Sequence, residues 1–545
     1  MDIRHLVVAA AAMYCAACTG PLPVRTVLDA PSGAAQPMCN PAAGSVDPVC
    51  AHRAHEHASE CVSDAGVRSD RGYDLHFVEV DDQGALYPRE APYGDAYGQL
   101  DAFIATLRET IERKPVADGV SLAMFVHGWK HDAGTDDDNV RKFRSFLCGM
   151  AEIERRPGNR AVVGLYFAWD AKRIGLDTDH AALNVTFWDR ERASDRIAQG
   201  VIRELLARVR SIEAEVNREW QERVRKRILE GGFPSPFDKP PMRFLLLGHS
   251  FGARMVFEAL SNTLIRDVVD LQHADEILCL LPQFPQPGCA GAAPNDAVRA
   301  QAVDPARAAD VVAAGLVREA DMIVLVNPAL EATRFGALVD AARGRGTGAD
   351  GFPYAHYRAP HVVVIASETD QAVGAAFPAG RALGSLFDRY VGDERVADRT
   401  GVGHYLPQVT HRVSPVTQAC PGHEPLPAPA ECRGWQIPEA KLAVEARLFN
   451  TFERRICPGG SPGCAAPDGR KAYPRAFCGA PALVLQPHRD AQCTQAQPFN
   501  PNNPVWVVRA DANVIDGHGD IANEQLHALL RQLYLDSLSF RAAPL

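Results

Sequence analysis

The chain has 545 residues, 46% of them hydrophobic and 23% charged, which is enough apolar material for one large core or two smaller ones and too much for a disordered chain. Its formal net charge of -10 argues against a nonspecific nucleic-acid binder, whose affinity rests on neutralising phosphates with Lys and Arg. Small neutral or cationic substrates stay open.

In chain order, Met1-Asp2-Ile3-Arg4-His5 is a short basic start, followed by the apolar run 6–17, too short to span a bilayer as a stable helix. It predicts an export signal over 1–18, and Cys15-Ala16-Ala17-Cys18 resembles a lipoprotein processing site that would lipidate Cys18 and attach the protein to a membrane. An ordinary cleaved leader or a buried N-terminal helix is the alternative. The expected location is exported: periplasmic, outer-membrane lipoprotein or secreted. Residues 19–70, rich in Ala, Pro and Gly, read as an irregular segment ahead of the main domain at 71–545.

From there strands alternate with helices. Strands are predicted at 73–80, 121–126, 161–167, 243–247, 321–326, 361–366 and 505–509 from apolar runs, and helices at 100–111, 139–153, 193–229 and 253–264 from one-sided apolar spacing. The arginines of 193–229 are interspersed with glutamates, so they read as a solvated face rather than an anion-binding one. The alternation predicts a mostly parallel central sheet with helices on both faces, because right-handed crossovers need the intervening helices. Two stretches break the pattern, 266–320 and 375–503, and both are expected outside the core, over the active face as a lid or cap. Trp435, Leu442 and Phe449 are candidates for a cap helix, with a locally packed stapled lobe as the alternative.

Of fourteen cysteines, setting aside Cys15 and Cys18 leaves an even twelve, many in Pro/Gly-rich segments, six of them in 375–503. They predict disulfide staples and a large disulfide-rich insertion. No spacing supplies the two close ligand pairs of a structural zinc, so no metal is expected. His52, His55 and His57 read as a solvated polar loop.

The chemistry is concentrated where strands end. Gly248-His249-Ser250-Phe251-Gly252 frames a serine with small residues between an apolar strand and a helix, as a sharp turn exposing a nucleophile requires. Ser250 needs a base and an orienting acid. Asp370, just past the strand at 361–366, is the favoured acid, with Glu368 its competitor. His518, flanked by Gly517 and Gly519 after the last strand, is the favoured base, with His404 and His411 weaker candidates. His127-Gly128-Trp129 also follows a strand: the backbone N–H of Trp129 would join that of Phe251 as an oxyanion donor, and His127 reads as a loop-positioning residue rather than a base.

These residues, in the order Ser250, Asp370, His518, resemble the α/β-hydrolase superfamily, particularly serine esterases and lipases, from about Tyr73 to the C-terminus. The resemblance implies an α/β-hydrolase fold with Ser250 as nucleophile, Asp370 as acid, His518 as base, Trp129 and Phe251 as oxyanion donors, and no cofactor. The insertion at 375–503 is far longer than the family's usual connection between acid and histidine. The implied substrate is a small-molecule, lipid or polymeric ester. An amidase or peptidase of the same fold, and an exported binding or scaffold protein, are the alternatives.

Overall fold

All seven apolar runs form strands of one sheet. The computed structural model describes residues 22–28, 50–63, 68–70, 72–88, 98–113, 119–154, 160–171, 180–232, 240–281, 298, 302, 304–315, 318–344, 354, 360–385, 388–415, 475–477, 480–488, 503–521 and 523–537. The strands are β1 (His55–Ala58), β2 (Cys61–Val62), β3 (Arg68–Ser69), β4 (Tyr73–Val80), β5 (Val120–Val126), β6 (Ala161–Trp169), β7 (Met242–His249), β8 (Met322–Val326), β9 (Val362–Ser367), β10 (His411–Pro415), β11 (Arg475–Phe477), β12 (Ala480–Pro487) and β13 (Val505–Ala510). β2 and β3 pair separately; the other 11 lie in the order β1-β4-β6-β5-β7-β8-β9-β13-β10-β12-β11. Pairing is parallel from β4 through β10, with antiparallel edges at β1 and at β12-β11.

The sheet is buried on both faces, and period-two alternation sorts its side chains. Leu122, Met124 and Val126 of β5, Phe244 and Leu246 of β7, and Ile323 and Leu325 of β8 point into one core. Helices α1 (Gln99–Arg113), α3 (His180–Ala198), α4 (Val201–Val216), α6 (Phe251–Leu280) and α8 (Ala332–Arg343) close that face. Phe125, Leu245, Leu247 and Val324 point the other way, under α2 (Asp138–Glu154) and α10 (Glu524–Ser537). The fold is therefore an α/β architecture with a mostly parallel sheet flanked by helices.

Four departures from the sequence reading have physical causes. The helix predicted at 193–229 is three: it breaks at Gln199-Gly200, and again at Asn217, whose side-chain amide exchanges hydrogen bonds with the Met242 backbone at 2.8 and 2.9 Å before α5 (Arg218–Leu229). The helix predicted to end at Leu264 runs to Leu280, so 266–280 are not an excursion. At 30 residues it is about 45 Å long and carries the chain away from Ser250, to a satellite core where Ile277 and Leu278 meet Trp220 and Val224 of α5 and Ala308 and Val312 of α7 (Pro305–Ala314). Part of 375–503 belongs to the core, because β10 pairs with β13 and brings β12 and β11 to the sheet edge. Part of 19–70 does so too: β1 extends the sheet, and Arg25 is fully buried over the Phe77 ring, donating to Ala133 O at 2.7 Å and Glu56 at 2.9 Å.

Among the described residues one disulfide has both partners, Cys61–Cys148, which ties the β2 strand to α2; Cys279 is also disulfide-bonded. The disulfide-rich insertion expected over 375–503 rests on cysteines that are not among the described residues. Its six cysteines, the expected leader with Cys18, Cys39 and Cys289, and Trp435, Leu442 and Phe449 lie outside the described residues. Among the described residues, no helix is long and apolar enough to cross a membrane, and no group of side chains is arranged to hold a metal ion.

Candidate active site

The strand order reverses between β5 and β7. From β5 the chain passes to β6 on one side, then crosses back to β7 and continues to β8 on the other. Open α/β sheets bind ligands in the crevice that such a reversal leaves beyond the carboxyl ends of the strands. His127-Gly128-Trp129 and Ser250 leave β5 and β7 at that point.

Ser250 occupies the turn between β7 and α6 with φ 55° and ψ -121°, a conformation that costs a non-glycine residue about 1–3 kcal/mol and persists only where surroundings enforce it. The enforcement is visible in the backbone. Ser250 N–H donates to Val326 O at 3.0 Å, and Ser250 O accepts from Ala329 N–H at 3.1 Å and Arg254 N–H at 3.2 Å. Close packing supplies the rest. A Cβ at Gly252 would lie 2.1 Å from Val126 O, and one at Gly128 would lie 2.8 Å from the Ser250 Cβ. The β5 and β7 turns are thus pressed together as only glycine permits.

Ser250, His518 and Asp370 come together in one hydrogen-bonded chain. His518 Nδ1 lies 2.8 Å from Asp370 Oδ2, and His518 Nε2 lies 2.8 Å from Ser250 Oγ. A carboxylate only accepts, so in the neutral ring Nδ1 carries the proton and Nε2 is the bare nitrogen facing the Ser250 O–H. The Asp370 side chain is fully buried, with its other oxygen accepting from Val373 N–H at 3.0 Å, while His518 keeps 28% of its surface exposed. An imidazole so placed can take a hydroxyl proton on one side and be stabilised by the carboxylate on the other. The fold is compatible with hydrolase chemistry in general.

The competing residues have other partners. Glu368 pairs with Arg412 at 2.9 and 3.3 Å. His411, in β10, bonds Thr410 at 2.9 Å and packs on Trp506. His404 packs against Gly374, four residues past Asp370, and burial lowers its pKa. His127 is fully buried: its Nε2 accepts from Trp169 N–H at 3.1 Å, its Nδ1–H donates to Gly128 O at 2.7 Å, and desolvation holds its pKa at about 4. Both ring nitrogens are committed to shaping the turn. Trp129 is half-buried against the core at that turn, and Phe251 is the first residue of α6, where the helix end favours negative charge.

Two residues were given no role by the sequence reading. Asn327 follows the apolar β8 strand, and His249 lies inside the serine motif itself; both are buried and both bond to the His518 loop. A polar residue ending a buried strand was the available signal for Asn327.

Beneath the serine turn, Arg254 is fully buried and donates to Asp195 at 2.7 and 3.1 Å, to Glu331 at 2.8 Å and to Ala329 O at 3.2 Å. Arg381 of α9 (Phe377–Gly384) reaches the same Glu331 at 3.1 Å. The segment after Asp370 is thereby anchored to the helix after Ser250.

Compared with known proteins, the chain matches no family model, no curated protein and no solved structure. The fold and the side-chain geometry therefore carry the functional reading.

Proposed function

We propose that this protein is a serine hydrolase of carboxylic esters, similar to the esterases and lipases of the α/β-hydrolase superfamily, with Ser250, His518 and Asp370 as its catalytic triad. The observation that carries the reading is the imidazole of His518, bonded at 2.8 Å to Ser250 on one nitrogen and at 2.8 Å to Asp370 on the other. In this reading His518 removes the Ser250 proton as Oγ attacks the ester carbonyl, and the imidazolium then protonates the leaving alcohol. Water activated by the same imidazole releases the acid. Asp370 stays ionised and fixes the tautomer. The N–H groups of Trp129 and Phe251 serve as oxyanion donors, each worth about 3 kcal/mol in the transition state.

Small-molecule, lipid and polymeric esters all fall within this chemistry. We also propose export, supported by the Cys61–Cys148 disulfide, since such bonds persist in oxidising compartments. Lipidation at Cys18 is proposed on the sequence alone and is checked by the mass of the mature N-terminal peptide.

The test is covalent labelling by a fluorophosphonate, followed by an ester panel of varied acyl length. Labelling of wild type and none of Ser250→Ala is expected, with turnover of esters. An unlabelled, folded wild type would favour a binding or scaffold protein instead, and turnover of amides alone would overturn the ester assignment.

A further inference from the structure

The His518 loop is tied at its base, Asp516 N–H donating to Asp520 Oδ2 and Gly517 N–H to Thr369 Oγ1, each at 2.9 Å, but it flanks the histidine itself with two glycines. Gly517 has φ 79°, Gly517 and Gly519 have open space where a Cβ would be, and Asp516 and Gly519 are exposed. Glycines on both sides of a residue widen its backbone freedom, so contacts to the His518 backbone from other elements narrow it at that point. Two buried side chains converge on one atom to do this. The His518 carbonyl accepts from Asn327 Nδ2–H at 2.9 Å and from His249 Nε2–H at 2.9 Å. The same Asn327 amide donates to Gly517 O at 3.1 Å.

Asn327 reaches in the other direction as well. Its Oδ1 accepts from Ser367 N–H at 2.8 Å, at the end of the strand that leads into Asp370. One carboxamide therefore joins the strand end carrying the acid to the loop carrying the histidine. Asn327 is fully buried in the left-handed region, φ 45°, which asparagine tolerates better than most residues. Only a side chain with both an N–H donor and a C=O acceptor makes both sets of bonds.

His249 is suited to its bond by being neutral. Desolvation holds its pKa well below the ordinary histidine range, so one ring nitrogen carries a proton and the other does not. Donation to a carbonyl assigns the proton to Nε2. Nδ1 is left as a bare, buried nitrogen with no partner among the described residues. The ring lies 5.0 Å from that of His518.

We propose that Asn327 and His249 are positioning residues that fix the His518 backbone so that its imidazole meets Ser250 and Asp370 together; this rests on the serine-hydrolase reading above. The carbonyl they hold and the imidazole belong to the same residue. A backbone shift of about 1 Å would move Nε2 off Ser250 and Nδ1 off Asp370 at once, and a displacement of that size can cost about 100-fold in rate.

The test uses Asn327→Asp, His249→Leu and His249→Gln in the full chain, with near-UV circular dichroism and thermal melting to establish folding. Asn327→Asp keeps the shape but turns an oxygen toward two carbonyls. Its expected result is about a 100-fold fall in kcat on a p-nitrophenyl ester and in fluorophosphonate labelling rate, with KM within about 2-fold. His249→Leu should fall in the same way, and His249→Gln, which restores a donor, should recover most of the loss. Nitrogen-15 spectra of the His518 ring should pass from one tautomer in wild type to a mixture in Asn327→Asp. A folded Asn327→Asp with wild-type rate and tautomer would overturn the proposal. Should Asn327→Asp not fold, equal rates in His249→Leu and His249→Gln would overturn it. If wild type is not labelled, the hydrolase reading fails by itself, and the His518 tautomer still decides whether Asn327 orients the ring.

Discussion

His127 should make the protein lose stability in mild acid. It is fully buried, with Nδ1–H donating to Gly128 O and Nε2 accepting from Trp169 N–H, and burial holds its pKa at about 4. In the unfolded chain the ring titrates near its reference value of about 6.5. Between these values the unfolded state binds the proton and the folded state does not, so stability falls as pH drops from about 6.5 to about 4. A displacement of about 2.5 pK units at about 1.36 kcal/mol each amounts to about 3 kcal/mol by pH 4. His127→Gln has no such titration. Urea unfolding of wild type and variant at several pH values from 7.5 to 4 removes the contribution of all shared groups by difference. The stability difference between them should move by about 3 kcal/mol in favour of the variant as pH falls. A difference constant with pH would refute the assignment of a buried neutral imidazole, and would reopen His127 as a group able to take a proton at the site.

Two further outcomes follow from buried or covalent contacts. Removing the Cys61–Cys148 link with the double substitution Cys61→Ala, Cys148→Ala frees a sequence separation of 87 residues, worth about 4 to 5 kcal/mol by chain entropy. An unchanged urea midpoint would count against a structural role for the bond. Arg254→Met should destabilise by about 1.5 to 3 kcal/mol because it takes a charged hydrogen bond from the fully buried Glu331 carboxylate, which keeps Arg381 and Arg334, and Glu331→Gln should cost less in that background than in wild type. Additive losses in that double variant would contradict direct pairing.

The serine turn was legible because its requirements are local. Gly248, Gly252 and Gly128 stand where backbones approach closely, and the runs before Ser250 and His127 are apolar enough to be central strands. Asp370 and His518 could be nominated by their place after strands, but their distances to each other could not. They are 148 residues apart, and they meet because β13 pairs with β9. Glu368 is also exposed by sequence as a candidate; only the proximity of Arg412 on β10 assigns it elsewhere.

What escaped the sequence shares one cause. β10, β1 and the second half of α6 carry weak or ambiguous local patterns and gain their places from partners far along the chain. Asn327 and His249 are single polar residues whose roles exist only where the His518 loop returns to them. The sequence by itself determined the alternation of strands and helices and the parallel core, and it nominated the serine, carboxylate and histidine of the candidate site, because periodicity, glycine and chain order are properties of neighbours. Tertiary structure decided which carboxylate faces which imidazole, which histidine is neutral and buried, and what holds the loop that carries His518. Those depend on desolvation and hydrogen bonds between segments that only the assembled sheet brings within 3 Å.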